Sequence, residues 1–339
     1  MKLTYYPYTL ELKQRFTISF HSRLTTPTVM VEIEQDGLTG YGEASLPPYL
    51  YENQQSVISF LNKVDLKQFE RTENLYAILQ YIDEIEEGNN AAKAAVDIAL
   101  HDLAGKMINV PLYRYLNINI KDDLYSSYTL GISEVKSLKE KIVEAADFKI
   151  LKVKLGTEDD KKIIKMLRLL TNKPFYVDVN QGWQDKYLAL DMINFLKEQN
   201  VILVEQPLPM LNLEDTAWLT ERSPLPIIAD EAVQNLNDLE KIKNIYSGVN
   251  IKLMKAGGIN KAYRMILKAK QLNLKVMIGC MTESSCAITA ASHLSPLADW
   301  IDLDGAELIS NDLFSGMKIY DGKIIIPEGP GLGVKKLRN

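Results

Sequence analysis

Six short apolar runs in the second half of the chain each lead into charged residues. They are ILKVKLG at Lys154, PFYVDVN at Asp178, VILVEQP at Glu205, PIIADEA at Asp230, VNIKLMK at Lys252 and WIDLDGA at Asp302 and Asp304. Most steps between them are about 22 to 27 residues, the length of one strand, one helix and two short loops. A repeated strand–helix unit builds a parallel sheet, and strands are expected near 125–131, 151–155, 175–179, 201–204, 226–229, 249–253, 275–279 and 300–304. Segments such as 159–171 and 260–273 carry helical periodicity between them. Eight strands suit a (β/α) TIM-type barrel, whose strand C-termini share one mouth; an open doubly wound sheet would produce the same pattern.

The first part of the chain reads differently. Residues from about 3 to 45 alternate apolar and polar positions, with Asp36-Gly37 as a hairpin turn. From about 52 to 108 the spacing becomes helical, with Ala91, Ala94, Ala95, Ile98, Ala99 and Leu103 on one stripe. We therefore expect an α+β capping domain over 1–115, the barrel over 116–312, and a segment over 313–339 that returns to the cap, since Ile319–Ile326 alternates again. The PEGPGLG stretch lacks the Lys-Ser/Thr of a phosphate loop and reads as an irregular closing loop.

Composition narrows the chemistry. A net charge of −5 with no basic block argues against nucleic acid as a partner. The amino terminus lacks the apolar core of a signal peptide, and no run approaches the ~20 residues of a membrane span. Cys280 and Cys286 are too few for a disulfide framework and read as reduced thiols of a cytoplasmic protein. Three histidines are too few for a His-rich zinc site and shift acid/base duty to Lys, Asp and Glu. Nothing in the composition sets the oligomeric state, and a homo-oligomer stays open.

Carboxylates ending three successive apolar strands, Asp178, Glu205 and Asp230, need a cation among them. Without His or Cys alongside, a hard ion such as Mg²⁺ suits them better than zinc. Any one of them alone would read as a helix cap or surface residue. Lys152 and Lys154 are two apart on a strand and so point the same way; by themselves they would read as partnered or surface lysines. Lys252 ends the sixth strand, across the barrel from Lys154, so one lysine could stand on each face of a bound substrate. Each should hold its proton less tightly near a metal or another lysine. Lys255, one turn on, competes with Lys252 but lies past the strand end. Asp302 and Asp304 could hold a substrate ammonium or form a turn. Thr129 ends the first strand as a donor, and Glu283 either orients Lys252 or starts a helix.

Taken together, KVK, DVNQGW, VEQP, ADE, NIKLMKAGG and the final DLD resemble the enolase superfamily in its muconate-lactonizing subgroup. DLD with the TLGI strand looks most like the dipeptide epimerases. FTIS with Ser22-Arg23, GYGEA and AAVDIALHDLAGK are similar to the family's capping and linking segments, so the resemblance spans nearly the whole chain. It implies a modified (β/α)7-8 barrel with an α+β cap, and Mg²⁺ held by Asp178, Glu205 and Asp230. Lys154 and Lys252 would be the acid/base pair, with Lys152 at the substrate carboxylate and Asp302 and Asp304 at its amino group. The implied reaction is epimerization of the C-terminal residue of an Ala-X dipeptide by two-base 1,1-proton transfer through an enediolate. Arg23 matches a position that can contact the side chain of X. Phe20, Tyr49 and Tyr51 around it are more apolar than a dedicated glutamate pocket needs. Cycloisomerization, o-succinylbenzoate synthesis or N-acylamino-acid racemization on the same scaffold are the rivals, with a non-catalytic binding protein the remote one.

Overall fold

The computed structural model describes residues 1–18, 21–69, 74–131 and 135–337. The alternating amino-terminal residues form three antiparallel strands, β1 (Lys2–Ile18), β2 (His21–Gln35) and β3 (Leu38–Ser45). Asp36 and Gly37 join β2 to β3 with φ of 52° and 78°. Two successive left-handed residues match the right-handed twist of the hairpin strands. Three helices follow: α1 (Gln54–Leu61), α2 (Leu75–Glu84) and α3 (Asn90–Met107).

Helix α3 is buried almost all round, because it lies between the cap sheet and the barrel. Its alanines let β3 approach closely. A Cβ on Gly42 would overlap the Ala95 carbonyl, and one on Gly40 the Ala99 carbonyl. Gly42→Ala should therefore cost about 3 kcal/mol or more through overpacking against backbone that cannot move aside. Urea denaturation checks this, and an unchanged midpoint would show that the helix can yield.

The barrel strands are β4 (Ser127–Leu130), β5 (Ile150–Lys154), β6 (Phe175–Asp178), β7 (Val201–Glu205), β8 (Ile227–Ala229), β9 (Gly248–Lys252), β10 (Lys275–Gly279) and β11 (Trp300–Asp302). They pair in parallel in chain order, and a bridge between Ser126 and Ile301 brings the two edges together. The expected eight-stranded barrel is present, nearly closed. Helices Asp160–Leu170 and Ile259–Gln271 lie where periodicity put them. The main core fills the space among the helices, the cap and the outer barrel face. A separate small cluster, Tyr176, Leu203, Ile228 and Met277, lies inside the barrel. Tyr176, Leu203 and Met277 sit two residues before the ends of their strands and Ile228 two before Asp230, so they form an apolar floor under the charged layer.

Helix α3 also grips the barrel. The Asp97 carboxylate accepts from the Ile259 amide at 2.6 Å, capping the helix that starts there, and Asn90 Nδ2 donates to the Lys255 carbonyl at 2.8 Å. After the barrel, Lys318–Tyr320 and Lys323–Ile325 form a hairpin. The Ile324 amide donates to the Leu124 carbonyl at 2.8 Å, so this stretch covers the entrance to β4 and not the cap. The return to the cap comes later than the alternation suggested. The Leu332 amide donates to Asp102 Oδ1 at 2.8 Å, and Lys336 pairs with Glu32 at 2.6 Å. PEGPGLG is a closing loop, with Gly331 packed on Asp102. No helix among the described residues is long and apolar enough to cross a membrane.

Candidate active site

Strand register alone gathers the charged residues. Lys154 pairs with Asp178 and Asp178 with Glu205 in the ladders β5–β6 and β6–β7. Lys252 pairs with Gly279, and Gly279 with Asp302, on the other side. All of them end at the same height, above the floor of Tyr176, Leu203, Ile228 and Met277. A cavity of about 760 Å³ opens over this layer, and Lys152, Lys154, Asp230, Lys252, Asp302 and Asp304 line it, with Thr129 and Arg23.

Asp178, Glu205 and Asp230 each bring one carboxylate oxygen within 4.8 Å of the other two, and all three are buried. Lysine ammonium groups supply the counter-charge. Lys152 lies 2.8 Å from Glu205, 2.8 Å from Asp302 and 3.1 Å from Asp178; Lys154 lies 2.6 Å from Asp178. Lys252 lies 2.8 Å from Asp230 Oδ2, and Lys255 lies 2.6 Å from Asp230 Oδ1. Burial, and then the Asp178 charge, push Glu205 up to about 7. Burial alone would raise Asp178 and Asp230 too, but the adjacent lysines outweigh it and hold both below the usual carboxylate range. A set of three buried oxygen donors, one of them still short of positive charge, fits a hard divalent ion.

The expected loosening of the Lys252 proton is tied to a bound metal, and the surrounding protein groups by themselves act the other way. Burial would lower its proton affinity, but Asp230 and then Glu205 outweigh burial and raise it. The same balance raises Lys152, against burial, through Asp302, Glu205 and Asp178.

On the far wall, Asp302 Oδ1 accepts from Ser127 Oγ at 2.7 Å. Asp304 lies past the end of β11, at the start of a 3₁₀ turn, and not on the strand as its spacing suggested. Its Oδ2 accepts from the Thr129 amide at 2.5 Å. Burial, then the Asp302 charge, push Asp304 up to about 7. Arg23 sits under the cap with its guanidinium carbon 5.2 Å from the Phe16 ring centre and 5.7 Å from that of Tyr49. Nε donates to Thr26 and Nη2 to Thr282, while Nη1 is buried without a hydrogen-bond partner among the described residues. Tyr49 thus stacks on the cation, whereas Tyr51 is fully exposed. Phe20 lies outside the described residues. Glu283 is not among the lining residues: it is buried behind the wall, with Oε1 accepting from the Met281 amide, and Ser284 is the residue that caps the next helix.

Three supporting residues escaped the sequence reading. Asn250 Nδ2 donates to Glu205 Oε1 at 2.8 Å, and a side chain at Gly279 would collide with it. Gln206 Oε1 accepts from the Asp230 amide at 3.0 Å. Ser127 holds Asp302. Asn250 and Ser127 lie two residues before Lys252 and Thr129, so strand alternation held the signal.

The chain belongs to the enolase superfamily. Residues 134–337 match the enolase C-terminal domain-like family, and residues 4–116 match the N-terminal domain of the mandelate racemase / muconate lactonizing enzymes. An L-Ala-D/L-Glu epimerase of Bacteroides thetaiotaomicron is 49% identical over 99% of this chain and 88% of its own length. The substrate-liganded L-Ala-D/L-Glu epimerase of Bacillus subtilis superposes with a TM-score of 0.91 at 28% identity, covering 98% of both chains. A dipeptide epimerase of Enterococcus faecalis, complexed with Mg and L-Leu-L-Tyr, superposes with a TM-score of 0.89 at 30% identity, again over 98% of each chain.

Proposed function

We propose that this chain is a Mg²⁺-dependent dipeptide epimerase that inverts the α-carbon of the C-terminal residue of an alanyl dipeptide, with an acidic residue favoured there. The observation that carries the reading is one cavity that reaches a buried triad of carboxylates through Asp230, with a lysine on each side and an acidic pair on the far wall. Asp178, Glu205 and Asp230 would hold the ion. Bound there, Mg²⁺ would stabilise negative charge developing on the substrate's carboxylate as the α-proton leaves.

The protein's own groups do the rest. Lys154 on β5 and Lys252 on β9 are four strands apart in an eight-stranded barrel, and so face each other across the cavity. One takes the α-proton and the other delivers a proton to the opposite face. Lys152 adds a fixed positive charge next to the carboxylate. Asp302 and Asp304 meet the free amino group, whose charge would relieve the mutual repulsion that raises Asp304. Arg23 has one buried donor, Nη1, left over for an anionic side chain on the C-terminal residue, which supports the alanyl-glutamate activity of the relatives named above. Two free cysteines support a cytoplasmic setting.

The acidic pair separates this reading from N-acylamino-acid racemization and cycloisomerization, whose substrates carry no free α-amino group. Deuterium uptake at the α-carbon of Ala-Glu, followed by mass spectrometry in D₂O, tests the reaction; N-acetyl-Ala-Glu tests the pair. Asp302 keeps its pairing with Lys152, but removing the ammonium leaves the buried Asp304 poorly paired, a loss of roughly 2–5 kcal/mol. kcat/KM for the acetylated form should therefore fall by more than about tenfold, and Asp304→Asn should erase much of the difference. Equal kcat/KM for the two forms would favour the rival racemase.

A further inference from the structure

We infer that Lys255 is a positioning residue for Asp230: it fixes one carboxylate oxygen and the backbone of that residue, so that the other oxygen is presented to a divalent cation. The inference rests on the reading of Asp230 as a metal ligand and extends it to a lysine that otherwise competes with Lys252 for the acid/base role.

Asp230 stands where the barrel gives least support. Strand β8 has three residues and pairs with each neighbour through only two residue pairs, and Asp230 lies just past its end. Side chains replace the missing ladder. Gln206 accepts from the Asp230 amide, and Lys255 Nζ donates to the Asp230 carbonyl at 2.6 Å and to Oδ1 at 2.6 Å. A third contact, to the Asn250 carbonyl at 3.2 Å, engages the last donor of the ammonium. An amine with all three hydrogens given to acceptors on Asp230 and Asn250 is tied in place, whereas among the described residues Lys252 donates to Asp230 Oδ2 alone.

The backbone of Lys255 is fixed as firmly as its side chain. It lies in the one-turn helix Leu253–Ala256, which ends at Gly257 and Gly258 with φ of 89° and 112°. A side chain at Gly258 would collide with Asp97 of α3, and Asn90 of the same helix holds the Lys255 carbonyl. The capping domain thus braces the turn, the turn aims Lys255, and Lys255 aims Asp230. As an ammonium, Lys255 also brings positive charge to a ligand set of three carboxylates, which lessens their mutual repulsion without occupying Oδ2.

Isothermal titration of Mg²⁺ and Mn²⁺ into the protein without dipeptide tests this apart from catalysis. Lys255→Met, matched in length, should weaken both ions about 10–100-fold, the usual effect of losing a partner behind a metal ligand. In turnover it should lower kcat and raise the Mg²⁺ concentration needed, while deuterium exchange falls equally from both epimers. Unchanged ion affinity in Lys255→Met would overturn the inference, as would loss of exchange from one epimer alone, which would make Lys255 the base. Wild-type protein that binds neither ion would instead sink the metal reading itself, and this inference with it. If Lys255→Met does not fold, a crystal structure of the wild type with Mn²⁺ decides. The ion on one Asp230 oxygen with Lys255 on the other is the expected result, and Lys255 turned away from Asp230 is the overturning one.

Discussion

Lys154→Ala and Lys252→Ala should each stop epimerization, with losses of about 10³-fold or more, toward the upper end of what a positioned acid or base contributes. Their effect on exchange should differ by configuration. Each lysine faces one side of the substrate, so each variant should still exchange the α-proton of one epimer in D₂O and not of the other. The two variants should have opposite preferences. Both lysines are buried and each is paired with a different carboxylate, Lys154 with Asp178 and Lys252 with Asp230. Losing one therefore leaves the environment of the other largely intact. Equal exchange from both epimers in either variant would refute the two-base scheme.

The second large effect concerns the triad. Asp178→Asn should abolish Mg²⁺-dependent turnover and weaken the ion by more than the roughly 10–100-fold that an outer partner contributes. It should also be felt in stability, because among the described residues Asp178 is the only carboxylate paired with Lys154 and one of three paired with Lys152. Removing one side of a buried pair strands the other charge, at a cost of ~3–5 kcal/mol. Calorimetric ion binding and thermal melting should move together in this variant. Protein stripped with EDTA should lose turnover and regain it on adding Mg²⁺. Full turnover after stripping would sink the metal assignment.

The barrel and its charged layer were legible because a strand exposes its period directly. An apolar run that ends in a charge is costly to bury unless another charge meets it, and six such runs at one spacing leave few arrangements. Residues two positions earlier, such as Asn250 and Ser127, obeyed the same rule and could have been found by it. Lys255 could not. Its contact with Asp230 spans a turn shaped by Gly257 and Gly258, and no periodicity encodes that geometry. The grip of Asp97 on Ile259 joins residues 162 apart and depends on how the cap docks. Asp304 followed the alternation on paper, yet the chain leaves the sheet at Asp302, so its position came from the turn. The carboxy-terminal hairpin alternates as a cap strand would, but alternation does not say which edge it covers.

The apolar floor makes the charged layer a vessel that opens into the cavity above it. Tyr176, Leu203, Ile228 and Met277, which form that floor, are all almost fully buried. A dipeptide lying over Lys154 and Lys252 would therefore be the stopper. While it sits there, each lysine should trade hydrogens chiefly with the substrate, using those it collected from solvent before the dipeptide arrived. Isotope entering the α-carbon would then come from a small private stock, refilled between visits. The label in the product would record how often the vessel had been opened, not how long it had stood in heavy water.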